Sequence, residues 1–238
     1  MVRVFCDFDG TVASEDVGNR MFRHFAGSKA EEIVQGYLDG SKTAVECLTQ
    51  ECAAAGPVME ESLGGFVDQF SLDPHFSDFV RFCSQREIPL TILSDGLDFY
   101  VERLLRKHGL GYLTWFANHL TLVKEGNFSR LVPEFPYTDS ECTQCGNCKR
   151  NHLLTMSGED DIVVYVGDGI SDRCPVRYAD IVFAKKDLIR YCQEKNITFH
   201  EFSSFLDVRK RMERILQQKR IRKRREAEMA RKEVFMQG

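Results

Sequence analysis

The sequence predicts an α/β protein, a Rossmann-like parallel sheet core with a small helical domain inserted near its start. Three observations predict it. Short apolar runs ("VRVFC", "LTIL", "IVVYV", "DIVFA") alternate with segments of helical periodicity, the pattern that builds a parallel sheet covered by helices on both faces. The first three runs end at or beside Asp7, Ser94 and Asp168, where reactive groups gather in such sheets. Between the first run and the second, residues 14–75 read as helical.

Element by element, residues 2–6 form the first strand and feed the turn "DFDGT". Helical spacing follows: Val17, Met21, Phe22 and Phe25 share one face, as do Ile33, Val34, Tyr37 and Leu38. "TAVECLTQECAAAG" and "MEESLGGFVDQF" continue the pattern, closed by Gly, Pro and an Asp-Pro turn. "FSDFVRFCSQREIP" is a helix ended by Pro89, "LTILSDG" a buried strand meeting a turn, and "LDFYVERLLRKHG" a helix stopped by Gly109. "WFANHLTLVKEGNFSRLV" alternates as a hairpin with Glu-Gly-Asn at its tip. A cysteine-rich loop precedes a helix from about residue 151, and "DIVVYVGDG" and "ADIVFA" supply two more strands. The expected division is a core of 1–13 and 76–206, a helical domain of 14–75, and a basic C-terminal helix or tail of 207–238.

Composition narrows the function classes. At 238 residues, 43% hydrophobic and 29% charged, the chain is an ordinary globular protein with room for one sizeable core. No run approaches the roughly 18 apolar residues of a membrane span. No basic segment followed by an apolar stretch opens the chain, so no signal peptide is expected. Nine cysteines in a chain this long predict a reduced, cytoplasmic protein rather than a disulfide scaffold. The net charge of −4 is uneven: residues 207–238 hold twelve Lys/Arg against five Asp/Glu, about +7, which leaves about −11 for the rest. Such a body argues against nucleic acid as a partner, and the sequence carries no mark of oligomeric state.

The chemistry gathers in four short stretches. In "FCDFDGT", Asp7 and Asp9 stand too close to ionise together unless a cation or a proton lies between them. Asp7, at a strand end, is placed to attack phosphorus and form an aspartyl phosphate, and Asp9 to act as acid and then base. The bland alternative is an acidic turn with Asp9 capping a helix. In "VGDGISD", Asp168 has the placement of a Mg²⁺ ligand, and Asp172 completes or orients the metal's shell. In "ILSDG", the Ser94 hydroxyl and following N–H groups are suited to phosphate oxygens, with Gly96 permitting close approach. A cation is also needed; Lys149 in "CGNCKR" is the first candidate and Arg150 the second.

The order acidic pair, Ser after a strand, Lys, acidic pair resembles the haloacid-dehalogenase superfamily over nearly the whole chain except the basic tail. The resemblance implies a nucleophile at Asp7, an acid/base at Asp9, phosphate binding by Ser94 and Lys149, and Mg²⁺ held by Asp7, the Asp9 carbonyl and Asp168 with Asp172 in support. It implies that 14–75 is a cap that closes over substrate. "EIPLTILSDGLDFYVERLL" and "CGNCK" are similar to the bacterial methionine-salvage phosphatases that act on 2-hydroxy-3-keto-5-methylthiopentenyl-1-phosphate. The short cap and "GDGISD" also resemble phosphoserine phosphatases. Both imply a small phosphorylated metabolite as substrate, with Glu15 and Asp16 as candidate specificity residues. Asp95 stands where the superfamily's usual Ser-Gly-Gly has glycine, and its carboxylate would repel phosphate, so only its backbone is expected to serve.

Two features stand outside this scheme. "CTQCGNCKRNH" spaces Cys142, Cys145, Cys148 and His152 as a sufficient tetrahedral Zn²⁺ set, against the alternatives of buried thiols or a disulfide. The remaining cysteines read as small hydrophobes. In the tail, Val208, Met212, Ile215 and Leu216 offer one packing face, but beyond Ile221 apolar residues become too sparse. A solvated, partly frayed helix is expected there. A rival reading makes the tail a module that binds protein or nucleic acid, although no aromatic residues interleave its basic ones.

Overall fold

The computed structural model describes residues 1–139 and 144–237. In chain order the elements are β1 (Val2–Asp7), α1 (Val17–Ala26), α2 (Ser28–Leu38), α3 (Ala44–Ala55), α4 (Glu60–Val67) and α5 (Phe76–Ser84). Then follow β2 (Leu90–Leu97), α6 (Asp98–Lys107), β3 (Thr114–Glu125), β4 (Phe128–Glu134), α7 (Lys149–Met156) and β5 (Ile162–Gly167). β6 (Ile181–Ala184), α8 (Asp187–Glu194), β7 (His200–Glu201), α9 (Phe205–Leu216) and α10 (Arg225–Gln237) complete the chain. The strands form one sheet in the order β4-β3-β2-β1-β5-β6-β7. β1 runs parallel to β5, β5 to β6 and β6 to β7, whereas β3 and β4 form the expected antiparallel hairpin around Gly126. The α/β class and the mostly parallel sheet are as the sequence predicts. The two-residue β7 escaped notice, having too few residues to show a period.

Two compact units share the chain: Met1–Val12, Asp73–Ile92 and Lys149–Gly238 in the first, Ala13–Leu72 and Leu93–Cys148 in the second. In the first, β5 is buried throughout, and Val4, Phe5 and Cys6 of β1 lie in the same core. α5 and α9 meet through rings, Phe205 lying 4.8 Å from Phe76 and 5.2 Å from Phe79.

The C-terminal segment departs from expectation. Val208, Met212 and Ile215 of α9 are buried, as the sequence allows. α10 is packed as well, and by polar anchors. Arg231 is 4% exposed; its guanidinium donates to the Tyr178 carbonyl and, at 3.1 Å, to Asp180. Arg224 donates to the carbonyls of Val176 and Arg177 at 2.7 and 2.8 Å. Asp180 in turn accepts from the Val163 N–H of β5 at 2.9 Å. The frayed-helix expectation failed because it counted only apolar residues, whereas forked guanidiniums satisfy several carbonyls at once. Removing the segment after Asp207 would strip out buried Val208 and Met212. Arg231→Ala is expected to cost about 3 kcal/mol, since it leaves Asp180 with a buried, undercompensated charge. Hydrogen exchange of the β5 amides measures it, and protection equal to wild type would show that the anchor contributes nothing.

The second unit holds the inserted helices together with the hairpin. Asp16 caps α1 by accepting from Asn19 N–H at 2.8 Å, and Thr43 and Glu46 form a capping box on α3. Met21, Phe22, Leu63 and Val67 are fully buried or nearly so. The Val58 segment pairs with β4, exchanging backbone bonds of 2.9 and 2.7 Å with Ser129. A sheet edge left open would expose unpaired backbone groups. The insertion covers that edge, so helices and hairpin form one compact unit although they are distant in sequence.

Candidate active site

Parallel pairing places Cys6 of β1 opposite Val166 of β5, which brings the carboxylates beyond them together. Asp7 ends β1 and is buried. The chain then turns sharply: half-buried Asp9 is extended (φ −69°, ψ 122°) and Gly10 is left-handed (φ 70°). A side chain at Gly10 would strike the Asp168 carboxylate and lie 2.7 Å from Lys186 Nζ. Glycine in "DFDG" thus satisfies both the backbone angle and the close approach of two strand ends. Thr11, next in the turn, has a buried hydroxyl without a hydrogen-bond partner among the described residues.

Asp172, fully buried, organises the second loop. One oxygen accepts from Tyr165 OH at 2.6 Å and Lys149 Nζ at 2.9 Å; the other accepts from the N–H groups of Asp168 and Gly169 at 2.8 and 3.0 Å. With two donors on each oxygen its acceptor capacity is filled. Lys149, 3% exposed at the start of α7, donates to Asp7, to Ser171 Oγ at 2.9 Å and to Asp172. Arg150, its neighbour, instead reaches Asn151 at 3.3 Å. The helix was expected from about residue 151; it begins two residues earlier, which fixes the base of Lys149.

Burial, then the Asp172 charge, pushes the Asp7 carboxyl well above the usual carboxylate range, with Lys149 opposing. Burial draws Lys149 down, but Asp172 and Asp7 outweigh it and hold the ammonium charged. Asp168 is raised by burial and by Asp172, while Lys186 opposes at 2.7 Å. Oxygens of Asp7, Asp168 and Asp172 all lie within 4.8 Å of one another. These crowded carboxyls form an oxygen-only donor set, which fits a hard divalent cation.

In the second unit, Ser94 is fully buried and its Oγ accepts from Gly96 N–H at 3.0 Å. Asp95 uses its side chain as well as its backbone. Its carboxylate accepts from the Asn147 N–H at 2.8 Å, and its carbonyl accepts from Asn118 Nδ2 at 2.7 Å. The Asn147 amide also donates to the carbonyls of Ser94 and Phe116 at 2.8 and 3.1 Å. Asn147 thereby ties the loop before Lys149 to the ends of β2 and β3. Sequence reading passed over Asn147, Tyr165, Ser171 and Lys186; the only available signal was the position of Asn147 and Ser171 inside motifs already singled out.

Of the candidate specificity residues, exposed Glu15 pairs with Arg20 at 3.5 Å, and Asp16 serves as the α1 cap. The zinc expectation finds no support. Cys142 lies outside the described residues, and among the described residues Cys145, Cys148 and His152 form no cluster of metal-ligating atoms. The Cys148 thiol contacts Asp139 at 3.8 Å, and burial lowers the His152 imidazole to about 4.

A parallel sheet with a buried aspartate–lysine–aspartate cluster at the carboxyl ends of β1 and β5 defines a hydrolase of phosphoric monoesters. The chain belongs to the Putative Phosphatase family, which matches residues 2–220. It is similar to the 2-hydroxy-3-keto-5-methylthiopentenyl-1-phosphate phosphatase of Bacillus cytotoxicus, 29% identical over 223 residues that cover 92% of this chain and 99% of the relative. The enzyme of the same name from Bacillus pumilus is 27% identical over 219 residues, 89% of this chain and 91% of the relative. Among solved structures, a phospho-aspartyl intermediate analogue of phosphoserine phosphatase superposes with a TM-score of 0.67 at 16% identity, covering 90% of this chain and 99% of that one. A HAD family hydrolase from Salmonella enterica subsp. enterica serovar Typhi gives 0.67 at 19% identity, covering 85% and 67%. The resemblance read from the motifs is borne out, and the structural likeness is one of fold.

Proposed function

We propose that the chain is a Mg²⁺-dependent phosphomonoesterase that hydrolyses the methionine-salvage enol phosphate, 2-hydroxy-3-keto-5-methylthiopentenyl-1-phosphate, through an aspartyl phosphate on Asp7. The observation that carries this reading is the buried Lys149 ammonium shared by Asp7 and Asp172, with Asp168 in the same cluster. The substrate follows the printed names of the Bacillus relatives.

In this reading a carboxylate oxygen of Asp7 attacks phosphorus while Asp9, half-buried and in the turn, protonates the leaving oxygen. Asp9 then takes a proton from the water that hydrolyses the aspartyl phosphate, so the two half-reactions share one acid/base. Lys149 and the Ser94 hydroxyl bind phosphate oxygens, Gly96 permits their close approach, and the Thr11 hydroxyl offers a further donor. Asp7, the Asp9 carbonyl and Asp168 would hold Mg²⁺. Asp172, its oxygens already filled, orients Lys149 and the Asp168 loop. When bound, the ion supplies neutralising charge that favours an ionised Asp7 beside a phosphate dianion.

Residues 14–75 act as the cap in this proposal. Buried thiols at Cys6, Cys52, Cys83 and Cys192 support a reducing cytoplasmic compartment, and among the described residues no helix is long and apolar enough to cross a membrane. The packing of Arg224 and Arg231 onto carbonyls supports a small-molecule enzyme over a nucleic-acid binder. Phosphoserine is the second reading, favoured by the fold likeness.

The test is phosphate release from a panel containing the enol phosphate and phosphoserine. Chelation of divalent metal is expected to lower release at least about 100-fold, and added Mg²⁺ to restore it. Full activity in metal-free protein would overturn the metal assignment; preference for phosphoserine would overturn the substrate.

A further inference from the structure

We infer that the β3–β4 hairpin carries a second binding site, lined by none of the groups proposed to bind phosphate, and that it takes a small organic cation of the alkylammonium type.

A cavity of about 610 Å³ opens where β3 begins and β4 ends, and every residue that lines it belongs to the second unit. That volume falls within the range of about 300–1,000 Å³ usual for small-molecule sites. Strand register builds its walls. Antiparallel pairing sets His119 opposite Glu134. The chain before His119 brings Trp115 and Phe116 to the cavity, and the chain after Glu134 brings Phe135 and Tyr137. Phe116 and Tyr137 meet edge to face, their centroids 5.4 Å apart and their planes at 89°. The faces of such rings are electron-rich and attract a cation.

The polar lining fixes the sign of the ligand. Asp98, at the start of α6, holds the His119 ring and accepts from the Leu120 N–H at 2.9 Å. Glu134 accepts from the Thr121 hydroxyl through Oε1, and its Oε2 has no partner among the described residues. No Lys or Arg among the described residues lines the cavity to answer these two carboxylates. The hydrogen bond to Asp98, then the Asp98 and Glu134 charges, raise the His119 imidazole, yet even when protonated it offsets only one of the two acids. The Tyr137 phenol is the remaining titratable group in the lining. The cavity is therefore net negative, and more so once His119 is neutral. It repels an anion, and an uncharged apolar ligand would cover Glu134 without giving it a donor. An ammonium fills the Glu134 oxygen while its alkyl part covers the rings.

Trp115 is the single tryptophan of the chain, so its fluorescence reports on this cavity alone. The test is a titration of Trp115 emission, at pH 8 and fixed ionic strength, with hexylammonium, with uncharged 1-hexanol and with hexanoate. Hexylammonium is expected to bind about tenfold more tightly than 1-hexanol, and hexanoate to leave the emission unchanged. Glu134→Gln, a change at an exposed side chain that keeps an oxygen for Thr121, is expected to bring the ammonium within about twofold of the alcohol. From pH 6 to pH 9 the affinity for hexylammonium should rise about threefold as His119 loses its proton. Equal binding of ammonium and alcohol, an ammonium response that Glu134→Gln leaves intact, or tighter binding of hexanoate each overturns the inference. So does emission that none of the three probes alters, in protein shown by urea titration to be folded. None of these readouts uses phosphate release, so the outcome stands apart from the phosphatase reading.

Discussion

Asp7→Asn is expected to fold as well as wild type and to release phosphate at least about 10⁴-fold more slowly, the scale of loss when a nucleophile is removed. The two halves of this expectation have separate physical causes. Asparagine matches aspartate in shape and keeps a carbonyl oxygen for the Lys149 ammonium. It also removes a charge from a place where burial and Asp172 already disfavour one. Stability is therefore unchanged or raised, as a urea titration will show. The amide oxygen, however, is a poor nucleophile toward phosphorus, and no other described carboxyl replaces it: Asp172 is saturated by four donors and Asp168 pairs with Lys186. Retained activity in folded Asp7→Asn protein would end the aspartyl-phosphate mechanism.

Much of this site was legible in the sequence because strand ends announce themselves. Apolar runs that stop at Asp7 and Asp168 place those two groups at the same edge of a parallel sheet. What was not legible is which carboxylate does what. Asp168 and Asp172 both read as metal ligands, and only geometry shows that Tyr165, from inside an apolar strand, and two backbone N–H groups saturate Asp172. Tyr165 was invisible because its ring satisfies the core pattern and hides the hydroxyl. Asn147 was invisible for the opposite reason, as one polar residue in a loop rich in cysteines. The C-terminal helix misled because periodicity counts apolar residues, whereas Arg224 and Arg231 dock through carbonyls that no sequence pattern marks.

Asp172→Ala carries the largest expected cost in stability, about 3–5 kcal/mol, because it breaks a buried ion pair from one side. Tyr165 OH and the N–H groups of Asp168 and Gly169 lose their acceptor, and Lys149 keeps only Asp7 and Ser171 in a site with almost no water access. The two units need not unfold together, so the change is best read by hydrogen exchange of the β1 and β5 amides. Exchange is expected to accelerate about 10²-fold to a few thousand-fold, since each 1.4 kcal/mol is a factor of ten. Tyr165→Phe, which deletes one of the four donors, should shift exchange only about fivefold. Activity should fall in Asp172→Ala as well, because Lys149 then loses the first of the two carboxylates that hold its charge against burial. The pattern of the two losses decides the role of Asp172. Lost protection together with lost activity marks a group that positions Lys149 and the Asp168 loop. Lost activity with protection intact would mean that Asp172 touches the metal itself, and the hydrogen bonds that fill its oxygens would have to be exchanged when the ion binds.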